Sequence, residues 1–259
     1  MTENEKLLAH LLDLKEKAAQ ESIVTWSNFM SMDELSQARK TERFNNEYVE
    51  SFYYGGYDEA ERCVAIYIPK FYCSTNFDIE SFLDENGNPL CLLSLKKDKF
   101  SKLSHRDYLG ALMGLGIKRE MIGDIIIDEN GAYLFCLKSI SGFLKENLKQ
   151  AGRGQLVVRE ENIISALTNN VRTETFFASV ASLRLDCLVS SAFNLSRNTA
   201  VESINQGLIF VNGTQISKID YILKQGDKLV FRGKGKTVID EIIGENKKGR
   251  IHLNIKRYL

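Results

Sequence analysis

Apolar residues recur along this chain with two different periods, and the change from one to the other marks its elements. Residues 3–20 place Leu7, Leu8, Leu11, Leu12 and Leu14 at helical spacing, with acids early and lysines late, which suits the helix dipole. An amphipathic helix is predicted there. A second helix is expected after Ser31, whose hydroxyl can cap it while Glu34 completes a capping box, running to about Val49. Gly55 and Gly56 turn the chain within Tyr53–Tyr57, before an apolar strand from Cys63 to Ile68 that Pro69 stops.

The middle of the chain is more regular. Leu90–Lys96 reads as a strand, Ser104–Gly114 as a helix capped by Ser104, and Asp124–Asp128 as a strand. Ala132–Lys138 reads as another after an Asn130-Gly131 turn, then come a helix over Ser139–Ala151 and a last strand over Gln155–Arg159. The order β-α-β-β-α-β is the split βαβ, or ferredoxin-like, arrangement that RNA-recognition motifs share. Gly131, Tyr133 and Phe135 match part of the stacking pattern of such motifs, whereas Leu90–Lys96 has no aromatic residue. That sheet face is left open between an RNA contact and ordinary core.

In the last third, Leu183, Leu188, Val189 and Phe193 form a helical stripe with Arg184 and Asp186 at other angles. Ser196 can cap a second short helix that buries Ala200, Val201 and Ile204, and Gly207 is placed to end it in a left-handed conformation. Ile209 and Val211 lead into Asn212-Gly213, which favours a type I′ hairpin turn. Beyond it, Gly226-Asp227 reads as a turn, Leu229–Phe231 as a strand and Arg232–Lys236 as a mobile basic loop. Val238–Ile243 and Arg250–Lys256 form a final pair of strands.

Composition changes this picture in three ways. At 259 residues the chain exceeds the roughly 100 to 200 of one domain, so two or three are expected. No stretch reaches the ~18 to 20 apolar residues of a membrane span, and residues 1–17 lack a signal-peptide core, so a soluble, cytoplasmic protein without a membrane partner is expected. Cys63, Cys73, Cys91, Cys136 and Cys187 are odd in number and free of zinc-binding spacing, which reads as reduced, mostly buried thiols and no metal. The net charge of zero is unevenly spread: from Ser179 onward thirteen cations face seven anions, a balance of plus six, and residues 1–178 carry minus six. One end of the chain is therefore suited to a polyanion.

The residues Arg184-Leu185-Asp186 with Leu188, Ser196-Arg197 with Ala200, Gly207 with Ile209, Val211-Asn212-Gly213, Lys218, Gly226-Asp227, and Arg232 with Gly233 and Gly235 resemble the S4 RNA-binding domain. Gly55-Gly56-Tyr57, Ala60-Glu61-Arg62, the run from His105 to Gly110, Gly116 to Arg119, and Ile122 to Ile125 extend the resemblance to the YlmH family of bacterial proteins over nearly the whole chain. The resemblance implies an α+β fold in three parts: an N-terminal helical/α+β region (1–75), a central βαββαβ RRM/ferredoxin-like domain (76–170), and a C-terminal S4 domain (179–259) with a helix hairpin and a small sheet. It also implies a non-catalytic factor that binds structured RNA, rRNA or tRNA, on the large ribosomal subunit, in rescue of obstructed subunits carrying peptidyl-tRNA. The RNA-binding residues it points to are Arg184, Ser196, Arg197, Asn198, Asn212, Lys218, Arg232, Lys234 and Lys236. His105, Arg106, Lys118 and Arg119 form a candidate second contact, and no cofactor is implied.

Two other readings use the same residues. In one, an RNA-modifying enzyme resembling pseudouridine synthases uses S4 for substrate delivery; beyond His105, Asp107 and Asp124 the sequence offers it no titratable cluster. In the other, the acidic N-terminal part is a scaffold for division proteins. His105-Arg106-Asp107 lacks the companion motifs of a kinase, and Gly233-Lys234-Gly235-Lys236 is too short for a phosphate-binding loop. His10, His105 and His252 are far apart in sequence and read as solvated or core positions.

Overall fold

Two stretches, Val64–Pro69 and the first six residues of Leu90–Lys97, are buried at every position, which a strand achieves only when both faces of its sheet are covered. The computed structural model, which describes residues 2–41, 48–57, 60–162, 173–246 and 249–258, shows what covers them. The chain divides into two compact units, residues 1–170 and 171–259.

In the first unit, a three-stranded antiparallel sheet is ordered β1 (Thr25–Trp26), β3 (Val64–Pro69), β2 (Val49–Tyr54). On one face, Ala65 and Tyr67 pack with Leu11 and Ala18 of α1 (Glu3–Glu21) and with Leu35 and Ala38 of α2 (Met32–Thr41). On the other, Val64, Ile66 and Ile68 pack with Leu90, Leu92, Phe135 and Leu137 of a second sheet and with Leu83 of α3 (Ile79–Asn86). That second sheet comprises β4 (Leu90–Lys97), β5 (Ile122–Ile127), β6 (Gly131–Leu137), β7 (Gln150–Ala151) and β8 (Gly154–Glu161), in the order β5-β6-β4-β8-β7. Its far face buries Leu93, Leu95, Leu134 and Cys136 against Tyr108 and Leu112 of α4 (His105–Gly114) and Ile140 and Leu144 of α5 (Lys138–Asn147). The layers thus run helices, sheet, sheet, helices, and the described residues of 1–75 and of 76–162 share one core.

The ferredoxin-like arrangement is present, with β6 lying between the β4 and β5 that α4 connects. The sheet face that carries aromatics in RNA-recognition motifs is closed. Phe135 is fully buried, and its ring stacks on Tyr57 at 5.2 Å between centroids. Gly56, at φ 96°, lies so close that a Cβ there would sit 2.3 Å from the Phe135 ring. A hydrogen-bonded joint holds this contact. The Asp124 carboxylate accepts from the Tyr57 hydroxyl at 2.9 Å and from the amides of Glu61 and Arg62 at 2.7 and 3.2 Å. Arg62 donates to the carbonyls of Ile122, Phe29 and Arg119, and Arg119 to those of Ile122 and Gly123. Burial, reinforced by the Arg62 charge, pushes the Arg119 guanidinium down to about 10, so it stays charged at neutral pH.

The second unit is a six-stranded antiparallel sheet with two helices packed on it. It contains β9 (Thr173–Val180), β10 (Ile209–Val211), β11 (Thr214–Gln215), β12 (Lys228–Phe231), β13 (Gly235–Glu245) and β14 (Ile251–Tyr258), ordered β11-β10-β12-β13-β14-β9. The helices α6 (Leu185–Ala192) and α7 (Arg197–Asn205) bury Leu185, Leu188, Val189, Ala200 and Ile204 against Ile209, Val211, Leu229, Phe231, Leu253 and Ile255.

Several expectations need correction. Val49 opens a strand, α2 ends at Thr41, and residues 42–47 of the expected helix lie outside those described. The helix expected to reach Ala151 stops at Asn147, because the chain turns back into the β7–β8 hairpin through Gly152 at φ 53°. The expected Asn130-Gly131 turn is present; only Gly131 has a positive φ, and the Asp128 side chain closes the turn by accepting from the Asn130 amide at 2.8 Å. The basic loop expected over Arg232–Lys236 narrows to a three-residue turn, with Phe231 paired to Gly235 and Val230 to Lys236. The C-terminal sheet takes in a strand from Thr173, six residues before the expected boundary at 179.

Replacing Phe135 by Leu should lower the melting temperature by several degrees through a cavity beneath Tyr57. An unchanged melting temperature would contradict the closed face.

Candidate RNA-binding surface

The second unit sets its cations from the helix hairpin outward. Arg184 occupies the extended N-cap position of α6, and Leu185, Leu188, Val189 and Ala192 supply the buried stripe that follows. The link to α7 bends back through Asn194 in the left-handed region at φ 51°, a conformation that asparagine tolerates better than most residues. Ser196 then caps α7, its hydroxyl accepting from the Thr199 amide at 3.1 Å, and Gly207 leaves it at φ 71°. Asn212 and Gly213, at φ 50° and 73°, form the expected type I′ turn, with Val211 paired to Thr214.

At the centre lies Asp186, in the first turn of α6, with a side chain only 4% exposed. Its Oδ1 accepts from Arg184 Nε at 3.1 Å, and its Oδ2 from Arg197 Nε at 3.0 Å, with Arg197 Nη2 also at 3.0 Å. The two arginine side chains remain 39% and 58% exposed. Burial alone would raise the Asp186 carboxyl; hydrogen bonds and charge from Arg184 and Arg197 more than reverse this and hold it below the usual carboxylate range. The same bond raises the Arg184 guanidinium. One carboxylate thus fixes two planar, fork-shaped donors on side chains that stay partly open to solvent, a geometry suited to phosphate oxygens.

The other sequence-predicted residues divide. Asn198 is exposed beside Arg197, and Lys218 lies in the segment whose Ile219 carbonyl accepts from the Asp186 amide, so both border the arginine pair. Lys218 stands 3.9 Å from Asp220. Ser196 is engaged as a cap. Asn212 braces two turns, donating to Asp227 at 2.8 Å and accepting from the Lys228 amide at 2.9 Å. Lys234 lies over the Phe231 ring. Arg232 lies over Phe210, and Lys236 is paired with Val230 and lies over Tyr258. Phe210 and Val230 alternate with the residues that face the helices, so Arg232 and Lys236 belong to the opposite face of the sheet. The nine residues therefore do not form one surface.

In the first unit, His105 and Arg106 are exposed at the start of α4, whereas Lys118 and Arg119 follow its end, about 15 Å away along a ten-residue helix. Arg119 is engaged by carbonyls and Lys118 stands 4.0 Å from Glu120, so these four are not one site. Asp186 itself was absent from the predicted set. Its acidic charge, one residue from the buried Leu185 in a helix otherwise apolar on that side, was the available signal.

Comparison with known proteins bears on both units. A family model described as "Putative RNA-binding domain in YlmH" matches residues 89–165, and the S4 domain model matches residues 183–229. The Ribosome-associated protein quality control protein P2 of Bacillus subtilis (strain 168) is 32% identical over 209 residues, covering 78% of this chain and 76% of that protein. The chain belongs to the YlmH family. A solved structure, Cell division protein ylmH from Streptococcus pneumoniae, aligns with TM-score 0.50 and 16% identity over 64% of this chain and 95% of its own, a likeness of fold. Like the sequence reading, the YlmH family assignment gives an α+β protein with a C-terminal RNA-binding S4 domain. The S4 match contains Arg184, Asp186, Arg197, Asn198 and Lys218 together.

Two measurements probe the arginine pair. Asp186→Asn removes a negative charge, so simple charge counting predicts tighter RNA binding; if Asp186 positions the arginines, affinity for a structured RNA should instead fall several-fold. Because the folded carboxyl is depressed, its stabilising effect is complete above its unfolded value of about 4 and disappears only as pH falls through the lower folded value. Wild-type affinity should accordingly be flat from pH 8 to about 5 as far as this group is concerned. A titration centred near pH 6 would show that another group controls binding.

Proposed function

We propose that this YlmH-family protein is a non-catalytic, cytoplasmic factor that engages structured RNA, rRNA or tRNA, on the large ribosomal subunit, in the rescue of obstructed subunits. The relative from Bacillus subtilis is named for ribosome-associated quality control, and the matched S4 domain supports RNA as the ligand. The single observation that carries the reading is the Asp186-braced pair Arg184 and Arg197, with Asn198 and Lys218 at its border. Residues 179–259 serve as the anchor, the central domain (76–170) as a secondary contact, and residues 1–75 as the layer packed on it. Structured RNA suits such a surface because A-form helices are recognised through shape and backbone rather than base edges.

The non-catalytic reading is supported by how the carboxylates of the rival enzyme reading are used. Asp124 is taken up by three donors in the inter-sheet joint, and the Asp107 Oδ2 by Ser104. Both carboxylates thus serve the fold, one as a joint and one as a helix cap.

Purified full-length protein should co-sediment with large subunits, and RNA crosslinked to it should map to a defined rRNA helix or to tRNA. Arg184→Ala/Arg197→Ala should abolish co-sedimentation and flatten the slope of log affinity against log salt by roughly 0.9 for each phosphate that is no longer neutralised. Wild-type sedimentation of the double variant would end this reading.

A further inference from the structure

Phe100 is 95% exposed, the most exposed large apolar side chain among the described residues, yet the loop that carries it is tightly built. The Asp98 carboxylate accepts from the amides of Phe100 at 3.0 Å and Ser101 at 2.9 Å, from the Ser101 hydroxyl at 2.6 Å, and from the Gln155 amide at 3.1 Å. The last bond ties the loop to the start of β8. Gly154 is pressed against Ser101 and Leu103, with a Cβ there only 2.7 Å from the Ser101 hydroxyl, and Gly152 is packed on Asp107 in the first turn of α4. The β4–α4 loop, the start of α4 and the β7–β8 turn thus meet at one end of the first unit.

That end is cationic. Lys99 and Lys102 flank Phe100, Arg106 lies in the first turn of α4, and Arg153 occupies the β7–β8 turn; all four are exposed. None has an ion pair among the described residues. Asp98 and Asp107 are engaged as a loop brace and a helix cap, Asp107 accepting from the Ser104 amide and hydroxyl, both at 2.7 Å, and the β5–β6 turn, whose Asn130 carbonyl accepts from the Lys97 amide, adds Asp128 and Glu129 at this end. Counting Lys96 and Lys97 at the end of β4, six cations face these four carboxylates, which leaves a positive surface around an aromatic ring carried on a braced loop. Pre-ordering lowers the entropy cost of capture, and a lone phenylalanine among lysines and arginines offers too little apolar area for a protein interface. Aromatic stacking of bases combined with cationic contacts to the backbone is how single strands are held without sequence readout.

We propose that this end of the first unit binds a single-stranded RNA segment, with a base stacked on Phe100 and phosphates on Lys99, Lys102, Arg106 and Arg153. The inference rests on the RNA-binding reading of the chain but not on the S4 surface. Its test uses the full-length protein, a fluorescent 12-nucleotide oligo(U) and anisotropy titrations across a salt series. Arg184→Ala/Arg197→Ala, which disables the S4 surface, should keep its oligo(U) affinity. Phe100→Ala should weaken that affinity roughly tenfold, with unchanged thermal melting because the ring is solvent-exposed, and Phe100→Trp should restore it. Lys99→Ala/Lys102→Ala should flatten the log–log salt slope by about 1.4, at ~0.7 per phosphate on a single strand. Unchanged oligo(U) binding in the Phe100 and lysine variants overturns the proposal. So does loss of oligo(U) binding in the S4 variant alone, which would put the single strand on the S4 surface, or loss of ribosome co-sedimentation by Phe100→Ala at unchanged oligo(U) affinity, which would make the ring a protein contact. Failure of Arg184→Ala/Arg197→Ala to weaken structured RNA would remove the S4 surface and leave this one standing.

Discussion

A carboxylate withdrawn from water is costly unless it is paired, and Asp186 is withdrawn almost completely. Its position in the first turn of a helix whose neighbours Leu185, Leu188 and Val189 are core residues leaves it nowhere to extend. The compensation comes from Arg184, just before α6, and from Arg197, at the start of α7. Because the two arginines reach the carboxylate from two helices, the charge pairing and the angle of the hairpin are one problem with one solution. The exposed edges of both guanidiniums are held where the helix starts converge, so little rotamer freedom remains to be surrendered when an anion arrives.

The first unit shows a different constraint with an equally large effect on function. Two sheets pressed face to face provide the area that buries Val64–Ile68 and Leu90–Leu95, and the joint of Tyr57, Arg62, Arg119 and Asp124 fixes their contact through hydrogen bonds to backbone groups that the packing would otherwise strand. The consequence is that a ferredoxin-like sheet no longer has the open face through which RNA-recognition motifs stack bases. The exposed lysines and arginines of this unit lie instead at the ends of the layers, on loops and helix starts with short, braced turns.

Much of this was legible in the chain because it is local. The Ser31/Glu34 and Ser104 caps, the turn at Asn212-Gly213, the left-handed Gly207 and the strands around Val211 and Leu229 depend on residues within a few positions of one another, and all are present. The elements that were missed have the opposite character. Thr25–Trp26 is two residues long, and Ile79–Asn86 is a short helix whose pattern is overwhelmed by its acids. Thr173–Val180 has little alternation because it is an edge strand exposed over much of its length, and only pairing with Ile251–Tyr258, more than seventy residues away, makes it a strand.

For the site, the chain by itself determined which residue types were present and in what order: a basic last third, an S4-like run of arginines, glycines and turns, and a central βαββαβ pattern, since these follow from composition, period and capping chemistry. Tertiary structure decided which of the cations share a face. Strand alternation carries Arg232 and Lys236 to the side of the sheet away from Arg184 and Arg197, the length of α4 separates Arg106 from Lys118, and the packing of the β7–β8 turn brings Arg153 to the loop of Phe100. Sequence spacing holds no information about such neighbours, because they are set by the direction in which a strand points its side chains and by long-range burial of apolar surface.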